Sequence, residues 1–142
     1  FSEDGSIIQA VDTVRESVFW DVSSGKQIHN VASVRDVPWH SWTSTLGWPV
    51  QGIFNGAAAV PVEGDVHAAC RSQSRALLVS GGTSSVNSSI KLFRFPRVER
   101  GTPVLFGGHS SAVTDIAFMA SDQQVVSLGG NDGTVFVWSL SQ

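Results

Sequence analysis

GGHSSAVTDIAFMASDQQVVSLGGNDGTVFVWSLSQ, running from Gly107 to Gln142, is the stretch whose reading decides the fold of this chain. Gly108 and His109 open it, and Val113 to Phe118 supplies a first apolar run. Ser121-Asp122 then gives a polar turn before a second run at Val125 to Leu128, a pattern that predicts two strands joined by a hairpin. Asn131-Asp132-Gly133 is a strong short-range turn signal, because Asn and Gly accept the positive φ that tight hairpins need. Val135 to Trp138 alternates out of that turn as a third antiparallel strand. The reading is all-β.

Gly-His at the front, an Asp in the turn and a Trp six residues later resemble a WD40 repeat, the unit of a β-propeller, with Trp138-Ser139 standing where that family has Trp-Asp. The resemblance implies that His109, Ser127, Asp132 and Trp138 form one hydrogen-bonded chain inside a blade. A blade is too thin to bury polar groups cheaply, so those groups have to satisfy one another.

A search at fixed period finds further copies. Ser89-Ile90-Lys91-Leu92-Phe93 is similar to the strand ending at Trp138, and the two ends lie about 45 residues apart, within the usual blade period. A third copy ends at Ser17-Val18-Phe19-Trp20-Asp21, separated from the second by one period plus an insertion of about thirty residues. The middle blade is therefore atypical.

Its sequence narrows the family. VRDVPWHSWTSTLGWPVQGIF from Val34 to Phe54, GDVHAACRSQSRALLVSGG, and IKLFRFPRVERGTPVLFGGHSSAVTDIAF resemble the C-terminal end of the echinoderm microtubule-associated protein-like (EMAP-like) family. The most specific pieces are Arg35-Asp36 with Trp39, the Leu46-Gly47-x-x-Val50-x-Gly52-Ile53 segment, Leu92-Phe93-x-Phe95-Pro96 and the Gly107 to Ser111 run. The resemblance covers essentially the whole chain and implies a partial WD40 β-propeller of about three antiparallel blades, the first and last incomplete. The expected division is a partial blade over 1–33, an atypical blade with an insertion over 34–106, and a last blade lacking its outer strand over 107–142, all in one truncated domain. Val14 stands where the first blade would carry its turn Asp, and Gly82 to Ser88 replaces the acidic turn of the middle blade, so both are expected to lack the full polar chain. The start at Phe1-Ser2-Glu3-Asp4-Gly5 reads as the end of an inner strand and its turn. Open blade edges of this kind are expected to drive self-association.

Composition agrees with an all-β domain: 42% hydrophobic residues, 15% charged, 14 glycines, five prolines and five tryptophans. The richest apolar run, Ala57 to Val62, is short and broken by Pro61, which argues against a membrane span. The single cysteine, Cys70, rules out an intrachain disulfide and agrees with a cytoplasmic location, which the resemblance extends to the cytoskeleton. Asn87-Ser88-Ser89 matches a glycosylation acceptor, a pattern that matters only in secreted chains. A net charge of −3 argues against nucleic acid as a partner.

His109, Ser127 and Asp132 are the residue types of a hydrolase triad, but Ser127 lies inside a strand and no nucleophile-elbow motif is present, so no catalytic residue is assigned. His67-x-x-Cys70 with Asp65 has a plausible ligand spacing without a second pair, so no metal is assigned either. Asp65 to Cys70 reads instead as an inner strand, with Val66, Ala68 and Cys70 on one face and Asp65, His67 and Ala69 on the other. The glycine pairs at 81–82, 107–108 and 129–130 lack the Lys-Ser or Lys-Thr of a phosphate loop and read as turns, and no cofactor is expected.

Two surfaces are candidates for a partner. Trp39, Trp42 and Trp48 offer aromatic area; two of the three are expected to pack between blades and one to remain exposed, and Trp39 and Trp42 would face opposite sides of a straight strand. Lys91, Arg94, Arg97 and Arg100 form a local basic strip. The expectation is a protein-binding scaffold without enzymatic activity, implied by the resemblance to be part of a microtubule-associated protein whose partner is tubulin. The alternative is a WD40 assembly scaffold of another complex, without tubulin contact.

Overall fold

Apolar residues alternate between turn formers along most of the chain, and the computed structural model turns that pattern into nine strands among the described residues. These are residues 1–12, 14–54, 66–83, 88–99 and 101–141. Ala57 to Val62, Asp65, Asn87 and Arg100 lie outside them. β1 (Ile7–Val11) and β2 (Ser17–Asp21) form a two-stranded sheet; β3 (Val66–Arg71), β4 (Leu77–Gly82), β5 (Ser88–Arg94) and β6 (Val104–His109) form a four-stranded one. β7 (Val113–Phe118), β8 (Gln124–Gly129) and β9 (Val135–Ser139) form the third. All pairings are antiparallel between sequence neighbours.

β6 runs through His109 and pairs with β5, Ser88 opposite His109 and Ile90 opposite Phe106. The segment boundary expected at Gly107 thus falls inside a strand of the middle sheet. His109 closes the middle sheet's last strand while its ring reaches into the next sheet.

One turn recurs three times. Ser2 N–H donates to the Ile7 carbonyl at 2.8 Å, Ser72 N–H to Leu77 at 2.9 Å and Met119 N–H to Gln124 at 2.9 Å. The fourth residue of each turn is left-handed: Gly5 at φ 72°, Arg75 at 60° and Asp122 at 58°. Neighbouring copies are tied together. The Arg75 guanidinium pairs with Glu3, and the Asp122 carboxylate accepts the N–H groups of Gln73 and Ser74, both at 2.7 Å.

The middle sheet is covered on both faces. Phe19, Trp39, Trp42, Val50, Ile53, Leu78 and Phe93 fill the space toward the first sheet. Ala68, Val79, Ile90, Val113, Ile116 and Val125 fill the space toward the third. A β-bulge between Val66 and Ala68 breaks the parity expected for β3, since an extra residue rotates everything beyond it. Val66 therefore packs with Ala69 in the first core, and Ala68 with Cys70 in the second. β7 carries the same irregularity between Val113 and Asp115. The segment 34–54 is not a strand; it follows a short 3₁₀ turn at Val31–Val34 and ends in another at Trp48–Phe54.

Candidate functional site

His109 is placed by the last residue of β6, Ser127 by β8, Asp132 by the turn into β9, and Trp138 by β9. The structure brings these four together. The Trp138 indole N–H donates to Ser127 Oγ at 2.8 Å, and Ser127 Oγ lies 2.8 Å from His109 Nε2. His109 Nδ1 lies 2.9 Å from Thr134 Oγ1, whose hydroxyl donates to Asp132 Oδ1 at 2.9 Å. Donor counting fixes the direction of the chain. Because Thr134 spends its proton on Asp132, it accepts from Nδ1–H; with that one proton on the ring, Nε2 accepts from the Ser127 hydroxyl. Each proton is used once. Thr134 was not among the expected residues, and the one signal for it is a hydroxyl two places after the turn Asp.

The Asp132 carboxylate also ties the turn to the preceding loop, accepting from Ser110 N–H at 3.0 Å and Ser111 N–H at 3.3 Å. The Thr134 N–H first, then the Thr134 hydroxyl and the two serine N–H groups, hold its pKa well below the usual carboxylate range. Gly129 is required here, since a Cβ would run into the Asp132 carboxylate. The Ser, His and Asp atoms are disposed as in a hydrolase triad, with Asp132 Oδ2 at 3.4 Å from Nδ1. Yet Ser127 is 0% exposed and already holds Trp138.

Among the described residues the basic strip is not brought onto one face; Arg100 lies outside them. Lys91 and Arg94 point to opposite faces of β5. Arg97 folds back over the Phe93 ring at 5.4 Å, with its Nε and Nη2 sealed from solvent. His67 Nε2 lies 2.8 Å from the Thr83 hydroxyl, while Cys70 packs toward the second core, where burial pushes its thiol pKa up.

Trp39 and Trp42 share one core rather than opposite faces, their rings edge to face at 6.0 Å, because the segment bends instead of running as a strand. Both are buried and Trp48 is the exposed one at 38%, the division expected of the three, so Trp39 and Trp42 offer no outward partner surface. All three nevertheless line a cavity of about 440 Å³ between the 34–54 segment and the turn after β5. Arg35, Arg71, Arg75 and Asp36 supply its charges. Composition alone did not bring these arginines together.

Three sheets of two, four and three strands, none closed on itself among the described residues, with an internal polar chain in the last, have the make-up of a propeller segment. A sequence profile of the echinoderm microtubule-associated protein second beta-propeller matches residues 1–140. The chain belongs to this family. It is 34% identical over 99% of its length to echinoderm microtubule-associated protein-like 3 of Homo sapiens, covering 15% of that protein. It is 35% identical over 99% of its length to the 77 kDa echinoderm microtubule-associated protein of Strongylocentrotus purpuratus, covering 20% of it. For echinoderm microtubule-associated protein-like 2 of Rattus norvegicus the identity is 36% over 89% of the chain and 19% of the relative. This EMAP-family chain thus spans about a fifth or less of the curated relatives it matches. The family's β-propeller is a structural scaffold rather than an enzyme fold.

Proposed function

We propose that this chain is a non-enzymatic, protein-binding part of a WD40 β-propeller, and that the full-length protein contacts tubulin or microtubules in the cytoplasm. The observation that carries the reading is the similarity of nearly the whole chain to the second propeller of proteins described as microtubule-associated. The non-enzymatic half is supported by the sealed Ser127 hydroxyl being spent on His109 and Trp138, and by His109 and Asp132 both being spent on Thr134. A net charge of −3 argues that any contribution of this chain to the contact is made by specific groups rather than by bulk attraction to an acidic lattice.

Co-sedimentation of the full-length protein with microtubules tests the reading. The expected result is saturable pelleting with the polymer. Retention in the supernatant at excess microtubules overturns the tubulin contact in favour of a scaffold for another complex.

A further inference from the structure

We propose that the cavity between the 34–54 segment and the Phe95–Val98 turn binds an acidic peptide segment of a protein partner, its carboxylate taken by Arg35 and Arg71 and a neighbouring apolar side chain resting on Trp48 and Pro49. The assignment rests on the scaffold reading in that the occupant is a stretch of protein.

The cavity holds about 440 Å³, within the range of ordinary ligand sites and enough for a few side chains of a peptide. Its walls are apolar and stiff: Trp39, Trp42, Phe95 and the prolines 38, 49 and 96. Three guanidinium groups line it against a single carboxylate, Asp36. Arg75 is already paired with Glu3. Arg35 and Arg71 have no carboxylate partner among the described residues.

Arg71 is the stronger indicator. It is only 9% exposed, at the end of β3, and its guanidinium is fixed rather than floating. Nη2 donates to the carbonyls of Trp39 at 2.8 Å and His40 at 3.0 Å, and the Phe95 ring lies 5.3 Å away. Burial, and secondarily Arg75, bias it against the charged form, and Glu3 offsets them only in part. A buried cation with no carboxylate hydrogen-bonded to it, the nearby Glu3 being spent on Arg75, is costly and calls for an explanation. A carboxylate in the cavity supplies one. Arg35 provides the second arm from the rim, stacked over the exposed Trp48 ring at 5.0 Å. Two pre-oriented guanidinium groups beside aromatic area form a recognised mode of reading acidic motifs. Asp36 at the same wall disfavours a multiply charged phosphate and leaves a single carboxylate with an apolar neighbour as the better fit.

The test uses the full-length protein in calorimetric titrations with an acetylated, amidated Pro-Glu-Leu-Pro peptide, its Gln counterpart, and inorganic phosphate. The Glu peptide is expected to bind, the Gln peptide about tenfold or more weaker, and phosphate alone not to compete. Arg35→Glu, at an exposed position, is expected to lose at least the same factor without a change in melting temperature. Arg71→Lys keeps the charge but not the planar fork, and is expected to weaken the Glu peptide selectively. Equal binding of the Glu and Gln peptides, unchanged affinity in Arg35→Glu, or competition by phosphate each overturns the assignment. Co-sedimentation run in parallel separates the two readings. Pelleting without peptide binding sinks the cavity site alone, and peptide binding without pelleting sinks the tubulin contact alone.

Discussion

Ser80 and Ser127 hold equivalent places in neighbouring sheets, and only one of them has hydrogen-bond partners. Leu78 pairs with Phe93 in the middle sheet as Val125 pairs with Trp138 in the last, and each serine stands two residues further along its strand. Ser127 Oγ holds both Trp138 and His109. Ser80 Oγ is sealed and has no partner among the described residues, because Phe93 brings a ring without an N–H. The repeat has kept its shape in both sheets and its polar chain in one.

This difference sets opposite outcomes for one substitution. Ser127→Ala leaves the Trp138 N–H and a His109 nitrogen unpaired in a buried site and is expected to cost about 1–3 kcal/mol. Ser80→Ala removes a hydroxyl that is already unsatisfied, so stability should be unchanged or slightly higher. Urea denaturation of the two variants beside the parent checks the pair. A Ser80→Ala loss as large as that of Ser127→Ala would contradict the account.

Asp132 makes the fold acid-sensitive in a defined direction. Its folded-state pKa is depressed, chiefly by the Thr134 N–H, from an ordinary value of 3.8. The stabilisation is therefore complete above about pH 4 and is lost as pH falls below it. Asp132→Asn should be less stable at neutral pH but show a shallower fall between about pH 4 and 2. Asp4 and Asp21, both lowered to about 2 by serine hydroxyls and serine N–H groups, keep the residual slope from vanishing. Denaturation midpoints measured across that window, by fluorescence, report the difference.

Gly81 sets how closely the middle and last sheets approach. A Cβ there would strike the side chain of Val113, which is 0% exposed and has no room to yield. Gly81→Ala is expected to destabilise by about 1–3 kcal/mol through overpacking. The double change Gly81→Ala with Val113→Ala should recover part of that loss if the clash is the cause, and thermal melts of the three variants decide it.

What could be read from residues alone was local and periodic. The strands Val113–Phe118 and Val135–Ser139 follow from alternation between strong turn formers, and the register of β8 against its neighbours follows from the short turns. His109, Ser127, Asp132 and Trp138 were legible because a repeat fixes their spacing. Thr134 was not, since a threonine opening a strand reads as a β-former whatever its hydroxyl does. The bulge at Val66 is invisible to a parity count, which assumes an unbroken pleat. The same count puts Trp39 and Trp42 on opposite faces only of a straight strand, and their segment proved to have no pleat at all. The cavity arginines lie on two separate segments, and only the fold brings Arg35 to the same wall as Arg71 and Arg75.

Asp122 joins two of the repeated turns and is itself left-handed, so its replacements separate two contributions. Its carboxylate accepts the Gln73 and Ser74 N–H groups at 2.7 Å each across the sheet boundary. Burial works to raise its pKa, but these two N–H donors outweigh it and the carboxyl is held below its ordinary range. Asp122→Gly suits the φ of 58° but loses both acceptors, whereas Asp122→Asn keeps one acceptor and tolerates the left-handed region. Asp122→Ala loses both acceptors and adds strain of about 1–2 kcal/mol. The expected order of stability is therefore Asp, Asn, Gly, Ala. Hydrogen exchange should further show faster exchange of the Gln73 and Ser74 amides in the Gly variant, with the β8 amides unchanged. If Gly equalled the parent in stability, the bond across the two turns would contribute nothing and the turns would be held together by the cores alone.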